Sequence, residues 1–280
     1  MASFINTNMA SLNTQRNLSA SQAALNTSIQ RLSSGMRVNS AKDDAAGMAI
    51  ASRMEATIKG QTVAMRNAND GISFSQTAEG ALSKIGDNLQ RMRELAVQAA
   101  NGSNGADDRT SLDTEFKQLQ AEVTRITSNT KFNGIQVLGA PAAAGVTFQI
   151  GDANTTDDKV TVTGADLTAA TSKTAIAAAA AQDITTQAKA GSALTAIDDA
   201  LKEVNNESIK HGATQNRFSA VISTLQVSVE NQTAARSRIM DTDFASETAT
   251  MARGQILQQA GMAMLAQANQ LPNGVMALLR

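Results

Sequence analysis

The sequence contains no cysteine, no tryptophan and no tyrosine. Without cysteine there is no disulfide framework, no thiolate metal site and no cysteine nucleophile. With only seven phenylalanines, aromatic-lined ligand pockets and base-stacking platforms have little to be built from. Charge of one sign is missing too. The 24 basic and 25 acidic residues are interspersed, leave a net charge of −1 and form no basic stripe. Nucleic-acid binding is disfavoured on both counts. Proline is scarce: Pro141 and Pro272 are the only two, so very long stretches lack helix breakers. No apolar run reaches the roughly 18 residues of a membrane-spanning helix. Residues 1–17 lack the charged n-region and continuous apolar h-region of a Sec-type signal peptide. Taken alone, these absences describe a cytoplasmic protein.

Catalysis also lacks its parts. There is one histidine, His211, no nucleophile–base pairing and no HExxH motif. Asp43-Asp44 and Asp107-Asp108 read as acids at helix starts, where they complement the dipole. The Asn-Gly-Ser-Asn-Gly cluster at 101–105 lacks a phosphate-loop pattern and reads as a turn. The reading is of a non-enzyme with no cofactor and no metal.

What is present is a hydrophobic fraction of 42%, supplied by Ala, Leu, Ile, Val and Met, which suit helix-on-helix seams. Leu18, Leu25, Ile29, Leu32 and Met36 form an imperfect heptad seam interrupted at Gln22. The pattern breaks near Ser40, which with Asp43 reads as a capping box. A helical stretch follows over 42–100, roughly 85–90 Å if continuous at about 1.5 Å per residue. Its second half carries a clean seam of Ala78, Leu82, Ile85, Leu89, Met92, Ala96 and Ala99, while Gly60, Gly71 and Gly80 weaken it. Thr110 and Asp113 offer another capping box, before a face of Leu112, Phe116, Leu119, Val123 and Ile126. From 132 to 163 the period changes to two, with Phe132-Asn-Gly134 as a turn signal, predicting a small β-hairpin region. Residues 164–192 are rich in Ala and Thr and predict a peripheral segment of low packing value, with a short helix or a loop at 175–181.

A major helix is expected from about Ser192, with a seam of Leu194, Ile197, Leu201, Val204, Ser208, His211, Gln215, Phe218, Ile222, Leu225 and Val229. A last helix covers about 243–270, with an apolar stripe of Ile256, Leu257, Ala260, Met264, Ala268 and Leu271. Pro272-Asn-Gly274 is expected to end or kink it. Its polar face is Gln-rich with only Arg253 basic, unlike a membrane-surface helix. The fold class is therefore mainly α: a long-helix coiled-coil bundle formed by the N- and C-terminal segments, with a small central β-hairpin region.

Several motifs carry a family resemblance. Phe4-Ile-Asn-Thr-Asn8, Ser33-Ser-Gly-Met-Arg-Val-Asn39 and Ala41-Lys-Asp-Asp-Ala-Ala-Gly47 stand at the start, and Gln90-Arg-Met-Arg-Glu-Leu-Ala-Val-Gln98 follows. Gln215-Asn-Arg-Phe218, Ser237-Arg-Ile239, Gln255-Ile-Leu-Gln-Gln-Ala-Gly261 and Leu271-Pro-Asn-Gly-Val-Met-Ala-Leu-Leu-Arg280 close the chain. In this order they resemble bacterial flagellin over about 1–140 and 190–280, in a short form with little or no D2/D3. His211 departs from the pattern, which usually has Leu there.

The resemblance implies a D0 domain from 1–41 and 241–280, and a D1 domain from 42–140 and 191–240. Residues 141–190 are a reduced outer region whose Ser/Thr-rich stretch 145–175 offers hydroxyls for glycosylation. It implies an extracellular helical homopolymer in the flagellar filament, exported by the type III apparatus without a cleavable signal. That implication replaces the cytoplasmic reading. Implied partners are an export chaperone on the C-terminal helix, the filament cap and hook–filament junction proteins, and Toll-like receptor 5 of animal hosts. The receptor site carries over to Gln90, Arg91, Leu95 and Glu115. From spacing alone, Arg91 and Glu115 are equally well solvated or paired surface charges, and Leu95 packing. The alternative within the class is the hook–filament junction protein, which shares the terminal helices.

Overall fold

The computed structural model describes residues 7–164, 166–167 and 175–277, the last seven by backbone alone. Seven helices and two small hairpins are ordered along it: α1 Met9–Ser34, α2 Ala45–Ala100, α3 Ala106–Asn129, β1 Lys131–Phe132, β2 Ile135–Gln136, α4 Ala140–Ala144, β3 Val146–Gln149, β4 Lys159–Val162, α5 Ala175–Ala179, α6 Gln187–Met240 and α7 Phe244–Ala277. The chain divides into two compact units, one of residues 1–56 and 231–280, the other of residues 57–230.

The second unit holds the main core. Ala78, Leu82, Ile85, Leu89, Met92, Ala96 and Ala99 of α2 are all buried, as their 4/3 spacing predicts. Gly60, Gly71 and Gly80 do not interrupt α2. At Gly71 glycine serves a close approach, since an added Cβ would lie 2.5 Å from the Phe218 ring. Phe218 meets Phe148 edge-on at 5.6 Å. Phe148 in turn meets Phe74, and Phe74 meets Phe132, at 5.9 and 6.0 Å. This edge-to-face chain and the buried Phe116 supply the aromatic content of the core.

Cap positions differ from the expected ones. Ser40 and Asp43 do bond, through the Ser40 N–H and hydroxyl, but α2 starts at Ala45. The side chain that caps it is Asp44, which accepts the Gly47 N–H at 2.8 Å. Thr110 lies inside α3, which is capped at Gly105, and Asp108 accepts the Gly105 N–H. Asp113 is buried and accepts the Ile184 N–H at 3.0 Å while pairing with Lys117.

That contact belongs to a larger correction. The stretch 164–192 is not of low packing value: Leu167, Ile176, Ala179, Ile184 and Ala190 are buried. Gln120 of α3 donates to the carbonyls of Ala179 and Gln182 and holds the segment on α3. Small side chains permit the approach, so low apolar volume does not mean low packing. Residues 165 and 168–174 lie outside the described residues. Residues 175–179 form the short helix α5.

The β region holds two hairpins. In the first, Phe132 pairs with Ile135 across Asn133-Gly134, at φ 48° and 83°. Both signs match the left-handed turn that Asn-Gly favours. In the second, Val146 pairs with Val162 and Phe148 with Val160.

In α6 the buried row is Ala193, Ile197, Ala200, Val204, Glu207, His211 and Phe218. Leu194, Leu201 and Ser208, expected in the seam, are only half-buried beside Ala193, Ala200 and Glu207. Of the two outcomes expected at Pro272, an end or a kink, the end does not occur, since α7 runs on to Ala277.

His211 is 1% exposed and neither ring nitrogen has a hydrogen-bond partner. Burial pushes its pKa below the ordinary 6.5, against the pull of Glu207 and Glu79 and with a small contribution from Lys210. The unfolded chain therefore takes up the proton first as pH falls. Stability should hold above about pH 6.5 and decline below it. His211→Leu should flatten that decline in urea melts between pH 5 and 7; an equally steep wild-type slope in the variant would contradict this. A second expectation contrasts two glycines of α2. Gly80 faces open space, so Gly80→Ala should gain up to about 1 kcal/mol. Gly71→Ala should instead lower the thermal midpoint by crowding Phe218.

Candidate assembly surface

α1 and α7 pack together in the first unit. A Cβ on Gly254 would lie 3.4 Å from Leu25 Cδ1, and one on Gly261 would lie 3.1 Å from Leu18 Cδ1. The leucines and the glycines are spaced by the same two-turn step, so one antiparallel register serves both. The row on α1 is Ser11, Thr14, Leu18, Ser21, Leu25, Ser28 and Leu32, all buried or half-buried. The facing row on α7 is Met251, Gly254, Gln258, Gly261, Leu265 and Ala268. Leucine knobs from one helix meet glycines on the other, a close-approach version of knobs-into-holes packing.

The ends of the pair are fixed by polar contacts. Asn8 Oδ1 accepts the Ser11 N–H at 3.1 Å and caps α1. Its Nδ2 donates to the Ala268 carbonyl at 2.8 Å. That carbonyl is the one Pro272 leaves free, because proline has no N–H to return to the residue four before it. Ser11 Oγ donates to Asn269 Oδ1 at 2.7 Å. At the other end Arg31 lies 3.9 Å from Glu247. Beyond it, the Arg37 N–H donates to the Met240 carbonyl and the Thr242 N–H to that of Gly35. Gly35 itself, at φ 69°, closes α1 with a left-handed cap.

The expected N-terminal seam is partly displaced. Leu25 is buried, and Leu18, Leu32 and Met36 are half-buried. Ile29 is 47% exposed and lies off the seam; Ser28 takes its place, and Ser21 the place of Gln22. The expected stripe of α7 changes more. Of its members only Ala268 is buried. Ile256, Leu257 and Met264 are 65%, 53% and 63% exposed, and Ala260 is exposed as well. The side chain of Leu271 lies outside the described residues. On a different flank Phe244 and Met262 are exposed. α7 thus carries uncovered apolar side chains on two flanks, while α1 covers one strip of it.

In the second unit, Arg91 and Glu115 pair at the surface, and Gln90, next to Arg91 in the chain, is exposed as well. Arg91 reaches Glu115 at 2.9 Å and Glu94 at 2.8 Å. Hydrogen bonds to Glu94 and Glu115 hold the guanidinium pKa above its ordinary value. Leu95 is 1% exposed. It supports this patch from beneath, correcting its placement among the surface contacts. Among the described residues no cluster of metal-ligating side chains occurs, and no helix is long and apolar enough to cross a membrane.

Residues 5–142 match the bacterial flagellin N-terminal helical region, and residues 194–279 match the bacterial flagellin C-terminal helical region. The chain is 44% identical to the flagellin of Halalkalibacterium halodurans over 276 residues, covering 99% of each chain. It is 44% identical to the flagellin of Xenorhabdus nematophila over 316 aligned residues, covering 100% of both. Among solved structures, that of Bacillus cereus flagellin superposes with a TM-score of 0.50 at 31% identity, covering 57% of this chain and 88% of that one.

The glycine seam makes a prediction within the pair. Gly261→Val should overpack against Leu18 and cost about 1–3 kcal/mol, read as faster amide exchange at Leu18 and Leu25. Gly254→Ala, where the new Cβ meets ordinary contact distance, should leave that exchange unchanged.

Proposed function

The chain belongs to the bacterial flagellin family, a structural protein of the flagellar filament and not an enzyme, and from that premise we propose how its subunits hold each other. The exposed apolar flanks of α7 carry the proposal. Ile256, Leu257, Ala260 and Met264 are the surface that neighbouring copies cover on assembly. An isolated subunit bears the cost of leaving them in water, roughly 25 cal/mol for each Å² of apolar surface. Repeating the same contact head to tail without closing a ring yields a helical filament.

On this reading, residues 1–41 and 241–280 act as the D0 assembly element. Residues 42–140 and 191–240 act as D1, and 141–190 as a reduced outer region. An export chaperone would cover the same face of α7 before secretion by the flagellar apparatus, since an exposed apolar stripe promotes aggregation. Cap and junction proteins would meet the subunit at the ends of the filament.

We further propose that Gln90, Arg91 and Glu115 contact Toll-like receptor 5 in animal hosts. Supporting this is the exposed, ion-paired patch they form above Leu95. Rigid, pre-paired charges of this kind favour specificity and encounter over raw affinity.

Two substitutions test these readings. Leu257→Glu should leave the monomer's thermal midpoint unchanged and abolish elongation in sedimentation and electron microscopy; filaments of normal length would contradict it. In the wild type, long filaments separate this reading from that of a junction subunit, which would not elongate. Arg91→Ala monomer should reduce receptor-reporter activation at least tenfold, and an unchanged response would remove the receptor assignment.

A further inference from the structure

Three Asn-Gly pairs lie in described turns: Asn101-Gly102, Asn104-Gly105 and Asn133-Gly134. Glycine after asparagine leaves the intervening main-chain nitrogen unshielded and the backbone free to bend toward the side-chain amide. The surroundings of the three pairs differ. Asn104 is held on both sides of the reacting atoms. Its Nδ2 donates to the Gln98 carbonyl at 2.7 Å, and the Gly105 N–H donates to Asp108 Oδ2 at 3.0 Å. Asn101 is held less tightly, with Oδ1 accepting the Ser103 N–H at 3.4 Å and its carbonyl accepting Arg109 Nη2 at 3.0 Å. Asn133 is exposed at the tip of the first hairpin. Among the described residues, neither its side-chain amide nor the Gly134 N–H has a hydrogen-bond partner.

We propose that Asn133 is a site of spontaneous conversion to aspartate and isoaspartate, and the fastest of the three. The Gly134 nitrogen gives its proton to hydroxide and bonds to Cγ of Asn133. The side-chain nitrogen leaves as ammonia, and a five-membered imide remains. Water then opens the ring. Attack at Cγ restores the original main chain and yields aspartate. Attack at the main-chain carbonyl routes the chain through Cβ and Cγ and yields isoaspartate. The balance is one amide and one water to one carboxylate and one ammonium, with nothing oxidised or reduced.

The two products act differently on the fold. Aspartate tolerates the left-handed φ of this position and keeps the turn. Isoaspartate inserts an extra main-chain atom between Phe132 and Ile135, the pair that defines the hairpin. Phe132 is also a member of the core aromatic chain, 6.0 Å from Phe74. Isomerisation at the tip therefore reaches the core, whereas simple deamidation adds one surface charge.

The test is to age the full-length protein at mildly alkaline pH, folded and in urea, and to map conversion by peptide mass spectrometry. Fragment spectra separate Asn101 from Asn104, and enzymatic methylation marks isoaspartate. In the folded protein, conversion at Asn133 should run several-fold faster than at Asn104, with Asn101 between them; in urea the rates should converge. Asn133→Gly, which suits the positive φ, should remove this signal and leave the others. Asn133→Asp should keep the thermal midpoint that the isoaspartate fraction of aged protein loses. Folded-state conversion at Asn133 no faster than at Asn104 overturns the proposal.

Discussion

Gly261 sets how closely α7 approaches α1, because Leu18 Cδ1 stands 3.1 Å from where its Cβ would be, while Leu25 meets Gly254 at ordinary contact distance. α1, as a single neighbouring helix, covers only one strip of α7. The remainder of α7, with Ile256, Leu257, Met262 and Met264 more than half exposed, stays apolar and uncovered within the subunit. The pair is thus tight along its seam and incomplete around it. In a protein that works alone such a face is a hazard. In a subunit that polymerises, it is the driving force for adding the next copy.

The second unit holds the main core, although Ile209 and Val227 are exposed on it. Its α2 seam is fully buried, the 175–186 stretch is tied to α3 through Asp113 and Gln120, and four phenylalanines meet edge to edge. Apart from these phenylalanines and Phe116, the core is built mainly from Ala, Leu, Ile and Val, which suits close helix packing. Self-sufficiency in one unit and dependence in the other fit a division of labour. One supplies a rigid body, and the other supplies the surface on which growth depends. Polar exceptions include His211, buried without a partner for either nitrogen, and Ser75, whose buried hydroxyl also lacks one.

Strong periodicity was legible from the chain itself. The row from Ala78 to Ala99, the turn at Asn133-Gly134 and the long helices all follow from spacing and turn chemistry. Rows containing small or polar residues were not. An alternation of three and four admits two adjacent readings, so Leu25–Ile29–Leu32 and Leu25–Ser28–Leu32 are equally periodic. The partner helix decides between them, and glycines at 254 and 261 favour the serine row. The same ambiguity moved the α6 seam from Leu194 and Leu201 to Ala193 and Ala200. Pro272 misled because its missing donor is compensated at a distance by Asn8, a contact no local pattern reveals. For the surface, the apolar stripe of α7 was visible, but which part faces α1 and which part faces outward was not. Around Arg91, Leu95 follows its heptad into the core while Arg91 and Glu115 stay outside.

The central claim is that other copies cover both outward flanks of α7 in the filament. Oxidative footprinting of methionines reads this directly, since Met264 and Met262 lie on different exposed flanks and Met92 is buried within the subunit. In the monomer, Met262 and Met264 should oxidise readily while Met92 resists. In assembled filaments both should become as resistant as Met92. Oxidation of Met262 and Met264 at the monomer rate in intact filaments would contradict the account.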